Sequence, residues 1–103
     1  MATPEKRVQD SILRYLKKLK DENYPIYYER RQAMASSKMG LPDLFVLYNG
    51  VHIEIECKKP VGGELRTMQE KQRDILKKAG AIWICPTSKE EVIELLNKII
   101  KGE

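Results

Sequence analysis

Leu44, Val46 and Tyr48 recur at every second position, and so do Val51, Ile53, Ile55 and Cys57. Asn49-Gly50 stands between the two runs. A period of two is the mark of strands with one buried face. Asn-Gly is the preferred pair for a type I′ turn, which needs positive φ at both central residues. The pattern therefore predicts a hairpin with strands over residues 42–48 and 51–58. A two-residue loop fixes the register: Tyr48 opposite Val51, Leu47 opposite His52, Phe45 opposite Glu54, Asp43 opposite Glu56. The alternating apolar set becomes the core side. The other side carries Asp43, Phe45, Leu47, His52, Glu54, Glu56 and Lys58.

Elsewhere the period is helical. Val8, Ile12, Leu16 and Leu19, with Tyr15 beside them, mark one face of a first helix. Thr3 is its N-cap, Pro4 takes the first helical position and Glu5 lies in the first turn. Lys17, Lys18 and Lys20 suit the last turn. The helix is expected to stop near Asp21 to Asn23, before Pro25. Residues 26–31 read as a strand with an exposed side, and 32–41 as a loop. After Lys58, Pro60, Gly62 and Gly63 cannot continue a strand. A second helix is expected from Glu64 or Leu65, with Leu65, Met68, Gln72, Ile75, Leu76 and Ala79 inward and Gly80 at its C′ position. Residues 81–85 read as a short apolar strand in the middle of the sheet, with Trp83 in the core and Pro86 as its end. Ser88 to Glu91 forms a capping box ahead of a last helix with Val92, Ile93, Leu96, Ile99 and Ile100. The order is α-β-β-β-α-β with a C-terminal helix. A strand reached through a crossover helix implies parallel pairing, so the fold class is α/β, a mixed central sheet flanked by helices.

The chain has 103 residues, which suits a single domain over 1–103. A core of that size is modest, and a dimer would enlarge it. Its formal net charge is +4 and its pI about 9.1, a balance that favours polyanions, nucleic acid above all. No apolar run is long enough for a membrane span, and the charged N-terminus does not read as a signal peptide. Cys57 and Cys85 both sit in apolar strand-like runs, as buried thiols of a reducing compartment. With one histidine and no C-x-x-C, a zinc site is not expected.

The polar side of the hairpin carries the candidate chemistry. Like charges directly opposed across a strand pair destabilise it, so Asp43 against Glu56 calls for a cation. Mg²⁺ or Mn²⁺ takes one or two carboxylates, keeps waters and leaves room for a phosphate oxygen. Lys58 lies on the same side one pleat beyond Glu56, where it could hold a phosphate or position an attacking water. The rival reading of such a side is a plain solvated face. Arg30, Arg31 and Lys38 flank the 32–41 loop and could contact phosphates, as could Lys59 and Arg66 closer to the site. Tyr24, Tyr27 and Tyr28 could stack on bases or pack a core. His52 reads as a surface or dimer contact.

Gly40-Leu41-Pro42-Asp43, then Glu56-Cys57-Lys58, then Leu65-Arg66-Thr67-Met68-Gln69 and Gly80 resemble the PD-(D/E)XK restriction-endonuclease-like superfamily. More narrowly they resemble its VRR-NUC (virus-type replication-repair nuclease) domain, over nearly the whole chain from Glu5 to about Cys85. The resemblance implies a restriction-endonuclease-like core and a Mg²⁺- or Mn²⁺-dependent endodeoxyribonuclease with no small-molecule cofactor. It implies that Asp43, Glu56 and the backbone carbonyl of Cys57 bind the metal, with Glu5 as an auxiliary acidic ligand. Lys58 would orient the water or stabilise the phosphorane, and Gln69 would support the lysine or the nucleophile. Cys57 stands where a branched apolar residue is commoner, a change that spares its carbonyl. Small stand-alone members, many phage-encoded, resemble homodimeric resolvases of four-way (Holliday) junctions. The expected partner is thus branched double-stranded DNA, and the expected compartment the cytoplasm of a bacterium or phage-infected cell. The alternatives are a monomeric flap or nicking endonuclease and a non-catalytic basic DNA-binding module.

Overall fold

The structure, a computed structural model, describes residues 3–31, 40–57 and 67–102. The expected element order is found: α1 (Pro4–Asp21), β1 (Ile26–Arg30), β2 (Leu44–Tyr48), β3 (Val51–Ile55), α2 (Thr67–Lys78), β4 (Ile82–Ile84) and α3 (Lys89–Lys101). The expected start of α2 at Glu64 or Leu65 lies outside the described residues, as do residues 32–39 of the expected loop.

The strands form one sheet in the order β1-β2-β3-β4. β1 and β3 flank β2 antiparallel, and β4 joins β3 in parallel. The hairpin register is the one the Asn-Gly loop dictates, from Tyr48↔Val51 to Leu44↔Ile55. Asn49 (φ 49°) and Gly50 (φ 83°) both take the left-handed conformation of a type I′ turn. β4 is an edge strand of this sheet, not the central one expected. Its three residues are apolar because α2 lies against it while Ile82 and Ile84 pack on the core. Cys85, just past its end, is half-buried where a buried thiol was expected.

One face of the sheet holds the core. Val8, Ile12, Leu16 and Leu19 of α1 meet Leu44, Val46 and Tyr48 of β2, Ile53 and Ile55 of β3, Cys57, and Val92 and Leu96 of α3. The caps follow the sequence. Thr3 Oγ1 accepts from the Lys6 N–H at 3.1 Å, and the Glu91 carboxylate accepts from the Ser88 N–H at 3.2 Å. Among the described residues no helix is long and apolar enough to cross a membrane.

α2 departs from its sequence pattern. It buries no residue fully. Met68, Ile75 and Ala79, expected inward, are exposed, with Ile75 at 59%. The half-buried side is Gln69, Gln72, Arg73 and Leu76. Polar contacts set this rotation: Gln69 donates to Glu56, and the Arg73 guanidinium lies 5.8 Å from the centre of the Trp83 ring. Trp83 pairs with Glu54 in the sheet and is half-buried under Arg73, outside the expected core.

Candidate active site

The strands around the site end earlier than the alternation predicts, and the reason lies in the site itself. Hydrogen-bonded pairs in an antiparallel ladder recur every second residue. After Tyr48↔Val51, Val46↔Ile53 and Leu44↔Ile55, the next would join Pro42 to Cys57. Pro42 has no N–H to give. Its carbonyl accepts from Arg31 Nη1 at 3.1 Å. The Cys57 N–H goes instead to Asp43 Oδ2, at 2.9 Å. A side-chain carboxylate has replaced a backbone acceptor, and this fixes Asp43 against the Glu56–Cys57 peptide. The strand bonds on its other side continue, with the Arg31 N–H donating to the Asp43 carbonyl at 2.8 Å.

Glu56 is buried. Its N–H donates to the Ile84 carbonyl of β4 at 3.0 Å, and its Oε1 accepts from Gln69 Nε2. The first turn of α2 reaches that carboxylate because Gly40 permits it. A Cβ on Gly40 would stand 2.4 Å from the Met68 carbonyl oxygen and 2.9 Å from the Gln69 nitrogen. Gly40 also has φ +83°, where a side chain is strained. The glycine ahead of Pro42-Asp43 therefore lets the Asp43 approach and the Gln69 helix touch backbone to backbone.

Thr3, Glu5, Lys6, Gln9, Asp43 and Cys57 line a polar cavity of about 190 Å³. Glu5 belongs to the first turn of α1, held there by the Thr3 cap. Burial pushes the Cys57 thiol up to about 12, and the negative charges of Asp43, Glu56, Cys85 and Glu5 push in the same direction. Three carboxylates thus act on one point next to the cavity, a setting that favours a cation. Among the described residues no three His, Cys, Asp or Glu side chains close into a preformed cage. That donor set fits a hard ion that keeps much of its water, as Mg²⁺ does.

No protein-family model matches the chain, and no curated protein shows a significant sequence match. Solved structures do match. A chain described as "VRR_NUC domain" superposes with a TM-score of 0.72 at 26% identity, covering 93% of this chain and 97% of its own. A "VRR_NUC domain protein" gives a TM-score of 0.73 at 22% identity, covering 98% and 91%. The chain therefore has the fold of VRR-NUC domains over nearly its whole length. Its mixed sheet and helices form the restriction-endonuclease-like α/β fold.

Within this fold the structure brings Glu5, Asp43 and Cys57 around one cavity, and Glu56 and Gln69 into contact one residue away. Lys58, Lys38, Lys59 and Arg66 lie outside the described residues. Arg30 is exposed at the end of β1, where its charge acts on Asp10 of α1. The polar side of the hairpin is not the solvated face of the rival reading. Glu54 is wholly buried, gripped by both Nη atoms of Arg31 and by His52 Nε2. Glu54, Lys6 and Gln9 carry no motif that marks them in the sequence. Gln9 follows Glu5 by four residues, so helical spacing was the signal that could have found it. Tyr24 and Tyr27 are exposed, whereas Tyr28 packs on the core.

Proposed function

We propose that this protein is a VRR-NUC nuclease, a divalent-metal-dependent endonuclease that cuts branched DNA and acts as a homodimeric resolvase of four-way junctions. The observation that carries the reading is the broken rung at Pro42. It turns the Asp43 carboxylate onto the Glu56–Cys57 peptide, directly across the hairpin from a carboxylate that Gln69 holds.

Mg²⁺ or Mn²⁺, when bound by Asp43 and Glu56 with the Cys57 carbonyl and Glu5, would polarise the scissile phosphate and acidify a water. The chain's own groups do the rest. The Cys57 N–H and Gln69 keep the two carboxylates from swinging apart. Lys58, two residues beyond Glu56 on the sequence, supplies positive charge where the phosphorane gains negative charge. Lys59, Arg66, Lys38 and Arg30 are the proposed contacts to flanking phosphates, and the net charge of +4 supports a polyanionic partner. The exposed Met68 and Ile75 of α2, with Tyr27 and Leu47 on the sheet, leave apolar surface that a second copy would cover.

Labelled four-way, flap and linear duplex DNA, incubated with protein in Mg²⁺, Mn²⁺ or EDTA, tests the proposal. Paired symmetric incisions in the junction, abolished by EDTA, are expected. A single cut beside a flap would replace the resolvase with a monomeric nicking enzyme. Binding without cutting in any buffer would leave only a basic DNA-binding module.

A further inference from the structure

Glu54 is a carboxylate with no exposed surface, and Arg31, at 29% side-chain exposure, is its counter-ion. Replacing a buried pair of this kind by well-packed apolar residues of similar volume is often neutral or stabilising, so stability is a weak reason for it. The position of Arg31 suggests what else it does. Its backbone N–H donates to the Asp43 carbonyl at 2.8 Å. Its Nη1 donates to the Pro42 carbonyl at 3.1 Å. The same guanidinium forks onto Glu54, with Nη2 to Oε2 at 3.1 Å, and lies 5.9 Å from the centre of the Phe45 ring. Phe45 in turn packs on His52, whose Nε2 hydrogen-bonds the same Oε2 of Glu54. The guanidinium is therefore held by the Glu54 carboxylate beside the Phe45 ring, and its Nη1 serves Glu54 and the Pro42 carbonyl together.

The Pro42 carbonyl thus accepts from Arg31, and the Cys57 N–H, which the ladder would aim at that carbonyl, donates to the Asp43 carboxylate. We propose that Arg31, seated on Glu54, is a positioning residue for Asp43: it occupies the Pro42 carbonyl so that the Asp43 side chain is drawn onto the Cys57 N–H in the metal-binding geometry. Asp43 as a metal ligand rests on the function proposed above; the placement of its carboxylate does not. Outer partners that orient metal-binding carboxylates typically change affinity or activity by about 10–100-fold when removed. A lysine at position 31 keeps the charge on Glu54 but, as a point charge without the planar fork, cannot serve Glu54 and Pro42 together in the same geometry.

Arg31→Met/Glu54→Leu removes the pair without stranding a buried charge, and Arg31→Lys retains the charge should the double variant fold poorly. Amide hydrogen exchange at Cys57 in metal-free protein reads the placement directly, with Ile53 as an internal reference. The expected result in either variant is Cys57 exchange at least about 10-fold faster and Ile53 exchange unchanged. Mn²⁺ affinity should fall about 10–100-fold, and kcat on junction DNA should fall with KM retained. Cys57 exchange and Mn²⁺ affinity both at wild-type levels in a folded variant would overturn the proposal. Faster Cys57 exchange in a protein whose wild type neither binds Mn²⁺ nor cuts DNA would refute the nuclease reading and leave the placement by Arg31 standing.

Discussion

Gly40→Ala isolates the close approach on which Gln69 depends. The backbone contributes first: at φ +83° a residue with a Cβ pays about 1–2 kcal/mol. The added methyl contributes second. It would lie 2.4 Å from the Met68 carbonyl oxygen and 2.9 Å from the Gln69 nitrogen, against an ordinary contact of 3.4–4 Å. Both atoms are helix backbone, which cannot rotate aside as a side chain can. The first turn of α2 must move by about 1 Å, and overpacking of this kind costs about 1–3 kcal/mol. Gly50→Ala is the control, since Gly50 has the same φ of +83° with nothing within 4 Å of its Cβ position. Urea denaturation of the two variants should show Gly40→Ala less stable than Gly50→Ala by about 1–3 kcal/mol. The shift also draws Gln69 from Glu56, and a misplacement of about 1 Å near a reacting centre lowers rate by about 10²-fold. Equal destabilisation of the two variants, or wild-type cleavage by Gly40→Ala, would refute the reasoning.

Asp43→Asn keeps an oxygen for the Cys57 N–H and removes one of two opposed charges. Its urea midpoint should match or exceed that of wild type, while metal-dependent cutting falls by at least about 10²-fold. Cys57 is held protonated up to about pH 12 in the fold, whereas an unfolded thiol ionises near pH 8.5. The unfolded chain therefore binds fewer protons above that pH, and stability should fall with rising pH by up to about 1.4 kcal/mol per unit. Tyr48, also raised by burial, adds a loss of the same sign above pH 10, so Cys57→Ala should flatten the curve only in part. Ile75→Glu changes a residue 59% exposed; it should keep the wild-type circular dichroism spectrum and shift sedimentation from dimer to monomer, and a wild-type monomer would remove the dimer from the proposal.

What could be read from the sequence was local. Asn49-Gly50 set the hairpin register because a two-residue loop leaves no other choice. Thr3-Pro4 and Ser88 to Glu91 marked their helix starts through caps that need only neighbouring residues. The Gly40 to Asp43 approach could be seen as a motif, but its physical reason could not, because the backbone that crowds Gly40 belongs to residues 68 and 69. The rotation of α2 was misjudged for a like cause. Met68 and Ile75 read as an inner stripe, but Gln69 meets Glu56 just past β3 and Arg73 meets Trp83 of β4. Glu54 looked like surface because its counter-ion lies 23 residues earlier, on a strand whose register no tight turn announces. The edge position of β4 was hidden too, since an edge strand covered on both sides is as apolar as a central one.

The most direct measurement is a crystal structure of the protein grown with Mn²⁺, with the ion located by its anomalous scattering. The account predicts a peak within ligating distance of carboxylate oxygens from both Asp43 and Glu56, beside the Cys57 carbonyl. Mn²⁺ bound elsewhere, or the two carboxylates turned to opposite faces of the sheet, would contradict it.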